Sequence, residues 1–185
     1  MKDIIGVLKA DGVIVFPTDT VWGVGCLISS EVAIKKLYKI KSREAEKPTG
    51  IFIRDIEMAT TYGQLNSQAR QLAQDYWPGA LSIVTQATDK VPVSIQGPHN
   101  TVSLRLPNHP QLLKLLSSLE EPLVQTSANF AGKNPPNAFE EINPEFLGLV
   151  DGILEGKASQ NLPSTIVDTS QAELQVLRQG PIHIE

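Results

Sequence analysis

Val13-Ile14-Val15-Phe16 is apolar at every position and stops at Pro17. A short continuous apolar run of this kind reads as a buried strand, with material on both sides of it, rather than as a half-exposed one. The segments around it supply helices. Ile4, Ile5 and Leu8 recur at helical spacing before a stop at Asp11-Gly12. Ser30 can cap a helix whose apolar face is Ala33, Ile34, Leu37 and Tyr38. Ala69, Leu72, Ala73 and Tyr76 mark another, entered at Asn66 or Ser67 and stopped by Trp77-Pro78-Gly79. Pro110 opens a leucine-rich helix with Leu112, Leu113, Leu115, Leu116 and Leu119.

Short strand runs alternate with these helices. After a bend at Gly23-Val24-Gly25, Cys26-Leu27-Ile28 reads as a strand, as do Ile51-Phe52-Ile53, residues 81–84, residues 102–106 and Leu123-Val124. Residues 132–137, with two prolines, read as an exposed loop. Ile166-Val167 and residues 174–177 close the chain as strands. Residues 91–106 and 166–177 each hold a strand pair with no helix between. The sheet is therefore expected to be mixed, in an α/β fold, rather than purely parallel.

At 185 residues, with no internal repeat or linker, the expectation is one domain over residues 1–185. An apolar fraction of 41% and a charged fraction of 19% exclude a disordered chain. A net charge of −4 does not advertise nucleic-acid binding by bulk electrostatics. No stretch approaches the roughly 20 apolar residues of a membrane span. Met1-Lys2-Asp3-Ile4 lacks the layout of a secretory signal, and the lone Cys26 has no partner in the chain, so the expected setting is the reduced cytoplasm.

Polar motifs sit at the ends of the apolar runs. Pro17-Thr18-Asp19-Thr20 follows a buried strand, where it can be a turn or a set of hydroxyls for a ligand. Lys41-Ser42-Arg43, extended by Lys47, can complement the negative end of a helix or clamp a phosphate. In Thr101-Val102-Ser103-Leu104-Arg105 the odd positions share one polar face, while Val102 and Leu104 point to the core. Arg105 in a sheet needs an anionic partner, which a substrate carboxylate or a side chain can supply. Thr126-Ser127-Ala128-Asn129 ends a further strand, and Ser164-Thr165-Ile166-Val167-Asp168 and Leu177-Arg178-Gln179-Gly180-Pro181 complete the set. Gly-x-Ser-x-Gly, a P-loop and a full dinucleotide fingerprint are all missing. His99, His109 and His183 lack the spacing of zinc ligands. What remains is a chain suited to holding a polyanion and a small polar molecule.

In this order and at these separations, from about Asp11 to Pro181, the motifs resemble the YrdC/Sua5 family of threonylcarbamoyl-AMP synthases. The length is similar to the short bacterial form without the extra C-terminal domain. The resemblance implies a single-domain twisted, mixed α/β sheet with flanking helices around a concave basic cleft. It implies condensation of L-threonine, bicarbonate and ATP to threonylcarbamoyl-AMP and pyrophosphate, with Mg²⁺ as the expected companion of ATP. A partner threonylcarbamoyl transferase complex then modifies adenosine 37 of tRNAs reading ANN codons. By motif position, Thr20, Arg105, Gln125 and Ser164 fall on the threonine side. Arg43, Lys47, Thr101, Ser127, Asn129 and Arg178 fall on the ATP side, with Lys41 and Arg43 as the catalytic cations and no metal ligand among the side chains. Glu44 stands where the family often has proline.

Such a reaction needs no nucleophilic serine or cysteine. The carbamate formed from threonine's amine is already anionic, so the work is to align two anions that repel each other and to stabilise the charge that gathers on pyrophosphate. Two other classes fit a basic cleft. One is an RNA-binding or ribosome-assembly factor, against which the three Tyr and two Trp offer few stacking surfaces. The other is a carbamoyl-adenylate module like that of hydrogenase-maturation proteins.

Overall fold

The computed structural model describes residues 2–41, 49–159 and 162–184. Helix α1 (Lys2–Lys9) leads into strands β1 (Ile14–Phe16) and β2 (Gly23–Leu27), then α2 (Glu31–Ile40) and β3 (Gly50–Phe52). Next come α3 (Ile56–Tyr62), β4 (Gly63–Gln64), α4 (Ser67–Tyr76), β5 (Leu81–Ala87) and β6 (Thr101–Arg105). Helix α5 (Pro110–Ser117), β7 (Leu123–Ser127), α6 (Pro144–Leu147), β8 (Gly152–Ile153), β9 (Thr165–Asp168) and β10 (Gln175–Arg178) complete the described elements. The helix starts follow from side chains placed as expected. Ser30 accepts from the Ala33 N–H at 3.0 Å, and Asn66 accepts from the Ala69 N–H at 2.8 Å. Pro110 occupies the first turn of α5, where no N–H is needed.

All ten strands join one mixed sheet in the order β10-β9-β5-β6-β3-β7-β2-β1-β8, with β4 beside β5. The β9–β5, β6–β3 and β1–β8 pairs are parallel, and the other pairs are antiparallel. Paired residues share a face, so the register divides the side chains cleanly. One face carries Val15, Val24, Ile51, Ile83, Leu104 and Val124, all buried under apolar residues of α2, α3 and α4. The opposite face carries Ile14, Phe16, Leu27, Phe52 and Leu123, buried under Ile4 and Leu8 of α1 and Leu112, Leu115 and Leu116 of α5. Each fully buried leucine there stabilises the fold by about 1.5–3 kcal/mol relative to exposure. Helices α1 and α5 cover only part of this second face. Among the described residues no helix covers the rest of it, and a cavity lies there.

Two local readings of the sequence are corrected. Gly23-Val24-Gly25 is not a bend but the first half of β2, paired to β1 and β7. The glycines are there because a Cβ on Gly25 would lie 2.2 Å from the Val124 carbonyl oxygen, and one on Gly23 would lie 2.5 Å from the Phe16 ring. Val93–Ile95 is a short 3-10 turn, not a strand, and β6 pairs with β5 and β3 instead. Elements α3, α6, β4 and β8 carry no clear sequence signal of their own.

Candidate functional site

A cavity of about 270 Å³ opens over the uncovered part of the second face. Its floor follows the two-residue period of the strands: Gly50 and Phe52 from β3, Ser82 and Val84 from β5, Ser103 and Arg105 from β6, Gln125 and Ser127 from β7. The walls come from chain beyond the strand ends, among them Thr18, Thr20 and Ser164, and from Arg178 at the end of β10. Six of the residues named from the sequence therefore meet in one place: Thr20, Arg105, Gln125, Ser127, Ser164 and Arg178.

Arg105 is 4% exposed and is held on three sides. Its Nε donates to the Gly79 carbonyl at 3.0 Å, Nη1 to the Thr20 hydroxyl at 3.1 Å, and Nη2 to Asp19 Oδ1 at 2.5 Å. Its anionic partner within the chain is thus Asp19, a residue the sequence motif contains but does not single out. Burial pushes the guanidinium below its ordinary value, and the Asp19 carboxylate offsets part of that. One N–H on each terminal nitrogen has no partner among the described residues, and these can serve a ligand.

Proton accounting fixes what Thr20 presents. Thr18 donates its hydroxyl proton to the Val21 carbonyl at 2.7 Å, so Thr20 is the donor in the 2.9 Å contact between the two hydroxyls. Thr20 also accepts from Arg105, which leaves it one lone pair and no proton. Toward the cavity it is an acceptor, suited to an amine.

Across the floor, Arg178 Nε donates to the Ser164 carbonyl at 2.9 Å and Nη2 to the Ser164 hydroxyl at 3.1 Å. The same hydroxyl lies 2.9 Å from that of Ser82, and Ser82 is 4% exposed. Arg178 is an exposed residue whose head group is held by these two bonds to Ser164. Burial, and secondarily the positive charge of Arg105, push its guanidinium below the usual value.

The remaining named residues lie elsewhere. Lys41 is 4% exposed and donates to the Ser127 carbonyl at 2.6 Å, to the Asn129 carbonyl, and to Asn129 Oδ1 at 3.3 Å. The cation thus braces the turn that carries Ser127, and it does not line the cavity. Asn129 uses its amide on the Phe130 and Lys133 carbonyls at 2.9 and 2.7 Å. Thr101 spends its hydroxyl on the Pro98 carbonyl at 2.9 Å. Arg43 and Lys47 lie outside the described residues.

The sequence does not single out Asp19, Ser82 or Thr49, whereas Thr18 is one of the hydroxyls offered by Pro17-Thr18-Asp19-Thr20. The Thr49 hydroxyl is buried without a partner among the described residues, although the residue lines the cavity. Cys26 is buried, and its thiol is pushed up to about 12 by burial and secondarily by Glu121, so it is neutral and no nucleophile. No carboxylate lines the cavity, and no three His, Cys, Asp or Glu side chains gather into a metal set among the described residues. A second cavity, of about 670 Å³, lies between Trp22 and residues 137–140 and 153–158, and holds none of the named residues.

The cavity gathers hydroxyls and two guanidiniums on the uncovered part of a helix-flanked mixed α/β sheet, an arrangement chemically suited to small polar anions. Comparison with known proteins narrows the class. The Sua5/YciO/YrdC family model, described as telomere recombination, matches residues 6–180, and the chain belongs to that family. It is 35% identical to a threonylcarbamoyl-AMP synthase of Stenotrophomonas maltophilia, over 83% of this chain and 84% of that protein. It is 31% identical to the threonylcarbamoyl-AMP synthase of Pyrococcus abyssi over 97% of this chain, but spans only 54% of that relative's length. The crystal structure of Pyrococcus abyssi Sua5 complexed with L-threonine superposes with a TM-score of 0.92 over 97% of this chain and 53% of the other. Escherichia coli YciO superposes with a TM-score of 0.89 at 26% identity, over 97% and 88% of the two chains. No described helix is long and apolar enough to cross a membrane.

Proposed function

We propose that the chain is an L-threonylcarbamoyladenylate synthase, which condenses L-threonine, bicarbonate and ATP to threonylcarbamoyl-AMP, pyrophosphate and water. The observation that carries this reading is the Thr20–Arg105 contact. It sets an acceptor for an amine beside a guanidinium for a carboxylate, the two groups every amino acid presents. The Pyrococcus abyssi relative crystallised with L-threonine supports the choice of amino acid.

In the reaction, the amine adds to bicarbonate-derived carbon dioxide and loses a proton. A carbamate oxygen then bonds to the α-phosphorus, and the bond from that phosphorus to the bridging oxygen breaks to release pyrophosphate. Arg105 and Thr20 hold the amino acid, Gln125 flanks it, and Ser127 and Arg178 receive the nucleotide. The guanidiniums offset the repulsion between carbamate and phosphate. Arg43 and Lys47 remain part of the proposal as further cations on the phosphates, and Lys41 acts through the turn it braces. Magnesium would enter with ATP, since the described lining offers hydroxyls and guanidiniums and no carboxylate; bound there, it would withdraw charge from the phosphates. A cytoplasmic setting, delivery of the product to a threonylcarbamoyl transferase complex and its use on tRNA belong to the same reading. The RNA-binding alternative draws no support from the relatives named above.

Pyrophosphate release from ATP tests the proposal. It is expected only when both L-threonine and bicarbonate are present. Release that persists without either one overturns the assignment.

A further inference from the structure

The floor of the cavity contains one contact that the sequence motifs do not contain. Ser82, the second residue of β5, reaches Ser164, which precedes β9, at 2.9 Å. The strands carrying them run parallel, with Leu81 opposite Thr165 and Ser82 opposite Ile166. Both serines line the cavity, and both are about 95% buried. A buried hydroxyl inside an apolar strand costs stability unless it is paired, so Ser82 at this place is a specific choice.

The protons of the pair can be counted. Arg178 only donates, so it takes one lone pair of the Ser164 oxygen. The two serines hold two protons, and one closes the bond between them. The other has no partner among the described residues. The pair therefore offers a ligand one O–H donor, in contrast to Thr20, which offers an acceptor. Where Ser82 donates, Ser82 and Arg178 fill both lone pairs of the Ser164 oxygen, and the free proton is that of Ser164 itself; where Ser164 donates, the free proton is that of Ser82, one hydrogen bond away from the oxygen that holds the Arg178 head group.

We infer that Ser82 is a positioning residue that acts through Ser164 and links the amino-acid subsite to Arg178 on the nucleotide side. The inference rests on the synthase reading, in which Ser164 meets threonine and Arg178 meets ATP. With Ser82 in place, threonine bound at Ser164 fixes the oxygen that orients Arg178, and ATP finds that guanidinium already set. Without the Ser82 hydroxyl, Ser164 turns to follow Arg178 alone and the two ligands bind independently.

Calorimetric titration of L-threonine, with and without a non-hydrolysable ATP analogue, reads this directly. In the unmodified protein the analogue should tighten threonine binding by about tenfold, and threonine should tighten the analogue by the same factor. Ser82→Ala and the nearly isosteric Ser82→Cys should bring the factor close to one, and Ser82→Thr, which keeps the hydroxyl, should restore it. Coupling that persists in the alanine and cysteine variants overturns the inference. So does a threonine variant as uncoupled as alanine, an unmodified protein that binds both ligands without coupling, or loss of the native fold in both the alanine and cysteine variants. Failure of the unmodified protein to bind L-threonine at all would instead remove the synthase reading.

Discussion

Asp19 and Arg105 form a buried ion pair beside the cavity, with Nη2 of the arginine 2.5 Å from the carboxylate. Arg105 was legible because its strand alternates, so a cation on the polar face demanded an anion. Asp19 was not, because a carboxylate in a Pro-Thr-Asp-Thr turn satisfies turn chemistry equally well. Only the fold brings the chain after β1 to Arg105 at the end of β6, although β2, β7 and β3 lie between the two strands, and makes the two residues a buried pair, 5% and 8% exposed at the side chains. Asp19→Asn leaves a buried guanidinium without a counter-charge and should cost about 3–5 kcal/mol of stability. Glu31→Ala, which breaks an ion pair 80% and 77% exposed, should leave the urea midpoint almost unmoved. Equal midpoints for the two variants would mean that Asp19 does not compensate Arg105. Ser82 was hidden for a related reason: one serine within Leu81-Ser82-Ile83 reads as ordinary alternation, and its partner is 82 positions away.

Helix α2 and strand β7 meet through one amine. Lys41 caps α2, and its side chain ties down the turn from Ser127 to Asn129. Read locally, Lys41-Ser42-Arg43 was either a helix end or a phosphate clamp, and the geometry gives Lys41 a third role between elements. Lys41→Met keeps the apolar stem and removes the donors, leaving carbonyls of the turn without this partner. Stability should fall by about 1–3 kcal/mol, and amide exchange should quicken across residues 127–133 more than in β5. Unchanged exchange there would show that the turn holds without the brace. Other elements were legible in proportion to their own apolar content. Helix α5 buries Leu112, Leu115 and Leu116 and announced itself, whereas α3 buries only Met58 and Ala59. Strand β8 is two residues long and exists because β1 pairs with it.

At the scale of the molecule, the mixed sheet followed from strand runs without an intervening helix, and helices flank both faces as the apolar β1 required. What no local pattern could state is that α1 and α5 leave half of one face uncovered. That vacancy collects alternate residues from β3, β5, β6 and β7, whose motifs are scattered along the chain. In the proposed reaction, this uncovered face joins an amino acid to a nucleotide through bicarbonate carbon. Mass spectrometry of products made from isotopically labelled bicarbonate and labelled L-threonine tests it most directly. The expected product is an adenylate that carries both labels in equal amount, alongside pyrophosphate. An adenylate with the threonine label but no bicarbonate label, or nucleotide products carrying neither, would contradict it.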